Sequence, residues 1–442
     1  MPSTRSRRSG AALIVACALL LVFRAVAYAH ATLLSAEPIA GSHVAESPSR
    51  IRLVFSEPLE PAMARISIAD SASRVTALTV SGDPHDVNAL VAPVRALHPG
   101  AYRVMWRVVS DDGHPVGGSF VFWVGGGSAP PPPALRIDDA RVAWGPVLLR
   151  APVIPAALRG AGVGCLMALA GLLFFLAWSG EGASKRMLRL VSALALATVA
   201  MLGAHLIAWL VNVVPEHSLA SESVSVALAS GLGKVEALRV ILALLALWAV
   251  WLARRARLAL FFATAALIVS GASGHSAAIH PMWATPAKAI HLLAGAVWLG
   301  GLLWLVARAR SIDGVSGAGF ARDALRVSSA AVVAVIAVTV SGLLQALLFL
   351  PTPVDVFHSA YGAIVMTKIA GMLVLLGFGA FHRYRALPKL ASIEGSRRQL
   401  ASSLRSEIAV MILVVLLGGL LAYVAPPSGQ PMHDMHAHTQ SE

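Results

Sequence analysis

The hydrophobic rhythm of the chain changes along its length. After a basic start (Arg5, Arg7, Arg8) comes an apolar run over residues 11–23. Residues 30–125 then alternate apolar and polar positions in short bursts (Ile51, Leu53, Phe55; Ile66, Ile68; Tyr102, Val104, Trp106, Val108; Phe120, Phe122), separated by Pro, Gly and Asp clusters. Residues two apart share a face in extended backbone, so these bursts predict the half-buried strands of one small β-sandwich. Further on, the alternation gives way to eight long apolar segments, near 155–178, 188–213, 235–253, 258–275, 287–307, 327–350, 360–381 and 406–425. Each approaches or exceeds the roughly 20 residues a bilayer requires. The expected fold is an all-β sandwich followed by an all-α polytopic membrane bundle of eight helices.

Boundaries follow from the same pattern. Small residues at Ala27 and Ala29, behind the basic and apolar stretches, predict a signal peptide over 1–29. The sandwich takes 30–125, a Gly/Pro-rich linker 126–154, the bundle 155–425, and a His/Met-rich tail 426–442. Of the two cysteines, Cys17 lies in the leader and Cys165 in an apolar helix, so leader removal precludes a disulfide.

Composition supports the membrane assignment: 57% of residues are hydrophobic and 13% charged, with a mean hydropathy of +0.74. The net charge of +13 is largely topological. Loops after the first, third, fifth and seventh segments carry basic clusters (Lys185 and Arg186; Arg254 and Arg255; Arg308 and Arg310; Arg383 and Arg385), whereas the intervening loops carry only Lys234 and Lys288 at their edges. The positive-inside rule then puts the sandwich and the C-terminal tail outside the cytoplasmic membrane. Nothing in the charge pattern argues for nucleic acid, and no P-loop is present for ATP hydrolysis.

Candidate chemistry begins at the leader junction. Cleavage after Ala29 makes His30 the N-terminus, and its α-amine and imidazole can close one ring around a metal; two nitrogen donors suit Cu(II) in a tetragonal site. Cleavage elsewhere, or a retained leader, would remove that amine. Asp112 and His114 follow the strand over 102–108 and, two apart, can present an oxygen and a nitrogen together, completing four equatorial donors.

With those residues in view, residues 30–125 resemble the copper-resistance protein C (CopC) family. The resemblance rests on His30-Ala31-Thr32-Leu33, Ser35-Ala36-Glu37-Pro38, Leu53-Val54-Phe55-Ser56-Glu57-Pro58 and Asp112-Gly113-His114-Pro115-Val116-Gly117-Gly118-Ser119-Phe120. It implies a seven-stranded, immunoglobulin-like sandwich holding Cu(II) through the N-terminal amine, His30, Asp112 and His114.

The apolar half carries its own pattern. His205, His275, His280, Met282 and His291 all fall towards the outer ends of their segments, and imidazole with thioether suits copper better than hard cations. Glu236 and Arg239, three apart, are expected to pair; Lys368 lies about two turns into its segment, and His382 reads as a residue of a cytoplasmic loop. The motifs Ser273-Gly274-His275, His280-Pro281, His291-Leu292-Leu293-Ala294-Gly295-Ala296-Val297-Trp298-Leu299-Gly300-Gly301 and Tyr361-Gly362 resemble the copper-resistance protein D (CopD) family, which implies eight membrane helices serving copper uptake or delivery. In the tail, Met432, His433, Met435, His436 and His438 form a candidate copper-capture tract.

The expected function is therefore that of a copper-binding membrane protein, not an enzyme, which captures Cu(II) outside the cytoplasmic membrane and imports or delivers it, with Cu(I) favoured in the bundle. Periplasmic copper chaperones or oxidase assembly factors are the expected partners. Two alternatives remain open: a haem-ligating membrane electron carrier, and a copper-dependent oxidative enzyme using the N-terminal histidine.

Overall fold

The computed structural model describes residues 33–109, 115–126, 153–180, 183–214, 221–252, 254–274, 281–309, 317–388, 396–424 and 426. The expected leader and nearly all of the expected linker and tail lie outside them.

Two sheets form the N-terminal sandwich. One runs β1 (Leu33–Glu37), β3 (Arg50–Phe55), β7 (Asp86–Pro93), β6 (Ser81–Asp83); the other runs β2 (His43–Val44), β9 (Pro115–Val124), β8 (Gly100–Val109), β4 (Arg65–Ala69), β5 (Val75–Leu78). The alternation that predicted strands is the alternation that fills the core: Ile51, Leu53 and Phe55 from β3 meet Ile66, Val104, Val108 and Phe122 from the facing sheet, with Arg52 and Val54 turned away. The described residues form nine strands rather than the seven implied by family resemblance, and β2 and β6 are only two and three residues long. Trp106 lies opposite Gly118 in the β8–β9 ladder, and its ring covers that glycine: a Cβ there would stand 2.5 Å from Cζ2. The same ring meets Phe55 edge-on at 5.0 Å, closing the core between the sheets.

The remainder is helical: α1 (Val153–Ser179), α2 (Lys185–Val213), α3 (Ser221–Ala229), α4 (Gly231–Trp251), α5 (Ala256–Gly271), α6 (Pro281–Ala309), α7 (Gly317–Phe349), α8 (Pro353–His358), α9 (Ala360–Phe381) and α10 (Ser396–Leu421). Ser184 and Ser230 cap α2 and α4, their side chains accepting from Met187 and Gly233 N–H. Helix α1 is the centre of the bundle, packed on α2, α5, α6 and α10. It crosses α6 with backbones in contact, since a Cβ at Gly171 would collide with the Ala296 carbonyl and one at Gly300 with Gly171 itself.

Among the described residues six helices are long and apolar enough to cross a membrane: Val153–Ser179, Lys185–Val213, Met282–Ala309, Gly319–Phe349, Ala360–Ala386 and Leu400–Leu421. Of the eight expected segments, two fall short on this measure. Helix α4 spans 21 residues but carries Lys234, Glu236 and Arg239, and α5 has 16 residues, ending before the expected boundary.

The sandwich sits on the bundle. Met63, from the short turn Pro61–Met63, and Val109 at the end of β8 pack against Trp209, Val213 and Val214 of α2 and its C-terminus, Ala227 of α3 and Leu232 of α4. The Glu60 carboxylate accepts the Gly231 N–H at 3.2 Å, and Arg107 donates to the Asn212 carbonyl at 3.5 Å.

Candidate metal site and the polar interior of the bundle

His30, Asp112 and His114 lie outside the described residues, but the residues that flank them in sequence are described. Val109 pairs with Pro115, so β8 ends and β9 begins side by side at one end of the ladder, on either side of residues 110–114 in sequence. Val109 is fully buried against the bundle. Leu33, three residues after His30, pairs with Phe55, whose ring touches Trp106 of β8. Both chain segments expected to supply ligands are therefore anchored at one end of the sandwich, the end resting on α2. His43, by contrast, stacks on Trp123 at 4.8 Å, and Trp123 pairs with Ala101 at the opposite end of the hairpin.

Burial at the seat, with Arg65 nearby, draws the Arg107 guanidinium down to about 9. On the first sheet Arg52 bonds Asp83 at 2.7 Å and Asp86 at 3.2 Å. That bond, with the His85 backbone N–H, holds Asp83 below the usual carboxylate range.

In the bundle, His205 of α2 is buried at the centre of a polar network. Its Nδ1–H donates to Glu236 at 3.2 Å, and the Tyr423 hydroxyl donates to Nε2 at 2.9 Å; the neutral tautomer with hydrogen on Nδ1 satisfies both. Glu236 accepts in turn from Arg239 at 2.6 and 2.8 Å, which is the expected pair. Beside it, Arg159 of α1 donates to Ser273 Oγ at 2.8 Å, and Lys288 of α6 donates to the Ser273 carbonyl. His291, one turn along α6 from Lys288, is half-buried with Nδ1 3.1 Å from Ser341 Oγ and from the Val338 carbonyl. Met282 is 74% exposed. His275 and His280, and the tail residues Met432, His433, Met435, His436 and His438, lie outside the described residues. Among the described residues no three His, Cys, Asp or Glu side chains are grouped to hold a metal.

A second buried cluster lies at the other end of the bundle. His382, expected in a loop, continues α9 through the π-helical turn His382–Ala386 and is buried instead. Its Nδ1 lies 3.0 Å from Glu407 and its Nε2 2.8 Å from Ser403 Oγ, while Trp298 Nε1–H donates to Glu407 at 3.1 Å. A cavity of about 280 Å³, lined chiefly by apolar residues of α7 and α9, opens beside this pair. The sequence offered signals for part of this interior: Arg159, Glu236, Arg239 and Glu407 are ionisable residues inside apolar segments, which are costly unless paired. Tyr423 and Ser273 carried no such signal.

Comparison with known proteins adds to this geometry. A profile described as CopC domain matches residues 33–125, and one described as Copper resistance protein D matches residues 321–421. The Copper transport protein CutJ of Bacillus subtilis (strain 168) is 24% identical over 436 residues, 91% of this chain and 76% of that protein. Copper resistance protein C of Pseudomonas syringae pv. tomato is 33% identical over 111 residues, 24% of this chain and 87% of that protein. The crystal structure of CopC from Methylosinus trichosporium OB3b is 38% identical, over 22% of this chain and 93% of that chain, with a TM-score of 0.21.

Proposed function

We propose, for a chain that belongs to the CopC family over its sandwich and carries a Copper resistance protein D segment in its bundle, that it captures Cu(II) outside the cytoplasmic membrane and passes it to the helices for import or delivery. His30, through its amine and imidazole, with Asp112 and His114, supplies a nitrogen-rich tetragonal site that favours Cu(II). The sandwich and tail face outside, and α4 and α5 join the six long apolar helices to make eight spans. Of the charges of α4, Lys234 is exposed, while Glu236 and Arg239 are buried inside the bundle and neutralise each other. His275, His280, Met282 and His291 form the receiving end, and the tail tract of Met432, His433, Met435, His436 and His438 gathers copper for it.

The observation that carries this reading is the seat of the sandwich. The hairpin end bordering Asp112 and His114 rests on the C-terminal end of α2, two turns along the helix from His205, so captured copper has a short path to the bundle. The haem alternative draws no support from His205, both of whose nitrogens are already engaged. Copper accumulation by proteoliposomes holding the full chain tests the proposal. Wild-type protein loads the vesicles and the double variant Asp112→Ala/His114→Ala loads them poorly at limiting copper; equal loading by both would sink the capture step.

A further inference from the structure

The polar interior on the sandwich side of the bundle holds two buried guanidinium groups, Arg159 and Arg239, against one buried carboxylate, Glu236. Arg159 and Arg239 are buried, Lys288 is half-buried, and the charges of all three act on one another; among the described residues the carboxylate facing them is Glu236 alone. Glu236 is saturated by Arg239 and His205. Arg239 is 1% exposed, yet its Nε and second terminal nitrogen have no hydrogen-bond partner among the described residues. One turn beyond His205 on the same face of α2, the buried Trp209 Nε1–H has none either. These orphaned side-chain atoms are all N–H donors, and those of Arg239 lie where guanidinium charge is in excess. Buried donors left without an acceptor are rare, and charged ones rarer still.

We infer that Arg239, Arg159 and Lys288 form a binding site for a small monovalent anion of the chloride class, enclosed by α1, α2, α4 and α6. An anion there supplies the missing acceptor and offsets the excess charge, with no bond made or broken. The inference rests on charge and geometry and stands apart from the copper reading. It bears on that reading in one respect: Gly274, next to His275, packs against Arg159, and Lys288 precedes His291 by one turn, so a copper cation meets less repulsion when the anion is present.

The test is ³⁵Cl NMR on purified full-length protein in detergent without copper. Wild type broadens the chloride line, bromide reverses the broadening, and Arg239→Gln abolishes it, whereas Lys185→Gln at the far end of α2 leaves it intact. Elution volume and melting temperature establish that Arg239→Gln is folded; if it is not, Lys288→Met replaces it, and bromide anomalous scattering in crystals of the wild type must place the ion on Arg239. No excess broadening in wild type means that water fills the site and overturns the inference, as does equal broadening by both variants. Because copper is absent, a negative result leaves the capture proposal standing.

Discussion

Replacing Glu236 by glutamine removes the charge on which this interior turns. The carboxylate lies 2.6 and 2.8 Å from one guanidinium nitrogen of Arg239 and 3.2 Å from His205 Nδ1, and these side chains are 1–2% exposed. Unit charges about 4 Å apart attract by roughly 4 kcal/mol at an effective dielectric constant near 20. Breaking a buried pair costs about 3–5 kcal/mol, because the remaining charge is left uncompensated. Glutamine keeps the volume and one acceptor oxygen, so the loss falls at the low end, about 3 kcal/mol. For a domain of this size that corresponds to a fall in melting temperature of roughly 6–12 °C. Cys165, half-buried in α1, reports unfolding to a thiol-reactive dye in detergent at a fixed heating rate. Arg239→Met alone destabilises comparably, and the double variant recovers much of the loss because no unpaired charge remains. A shift under about 2 °C for Glu236→Gln, or additive losses in the double variant, would refute the reasoning.

Three further outcomes follow from the sandwich and its seat. Gly118→Ala drives a Cβ into the Trp106 ring, destabilising the sandwich by about 1–3 kcal/mol and weakening the near-ultraviolet signal of that tryptophan; an unchanged urea midpoint would contradict it. Asp83 is held below its unfolded value, near 4, so its contribution is complete above that value and lost as pH falls through the lower folded one. Urea midpoints at pH 7 and pH 3 therefore differ more in wild type than in Asp83→Asn, and equal differences would discount the Arg52–Asp83 contact. Trp209→Ala loosens the seat without unfolding either part: amide exchange rises at 60–64 and 227–233 and stays constant in β3 and β7, whereas uniform protection would mean that the seat does not depend on this ring.

Much of this architecture was legible because burial imposes a period. The alternation in β3 and β8 predicted which side chains enter the core, and long apolar runs predicted the helices, since each signal is local and repeats. The boundary of α5 was misplaced because the expected segment ran on to residue 275, whereas the helix ends at Gly271, where the apolar run gives way to Ala272, Ser273 and Gly274. Pairings between distant segments left no local trace. Tyr423 reaches His205 from 218 positions away, and His382 finds Glu407 only because the π-helical turn carries α9 past the residue where its apolar run stops. The Glu236–Arg239 pair, three residues apart on one helix, was the part of the polar interior that sequence could specify.

The most direct measurement is Cu(II) electron paramagnetic resonance on the full chain after leader removal, beside a variant with one alanine inserted before His30 and the variants Asp112→Ala and His114→Ala. The account predicts a tetragonal, nitrogen-rich signal in the processed protein that each of the three changes alters or removes. A signal identical in all four, or no bound Cu(II), would contradict it.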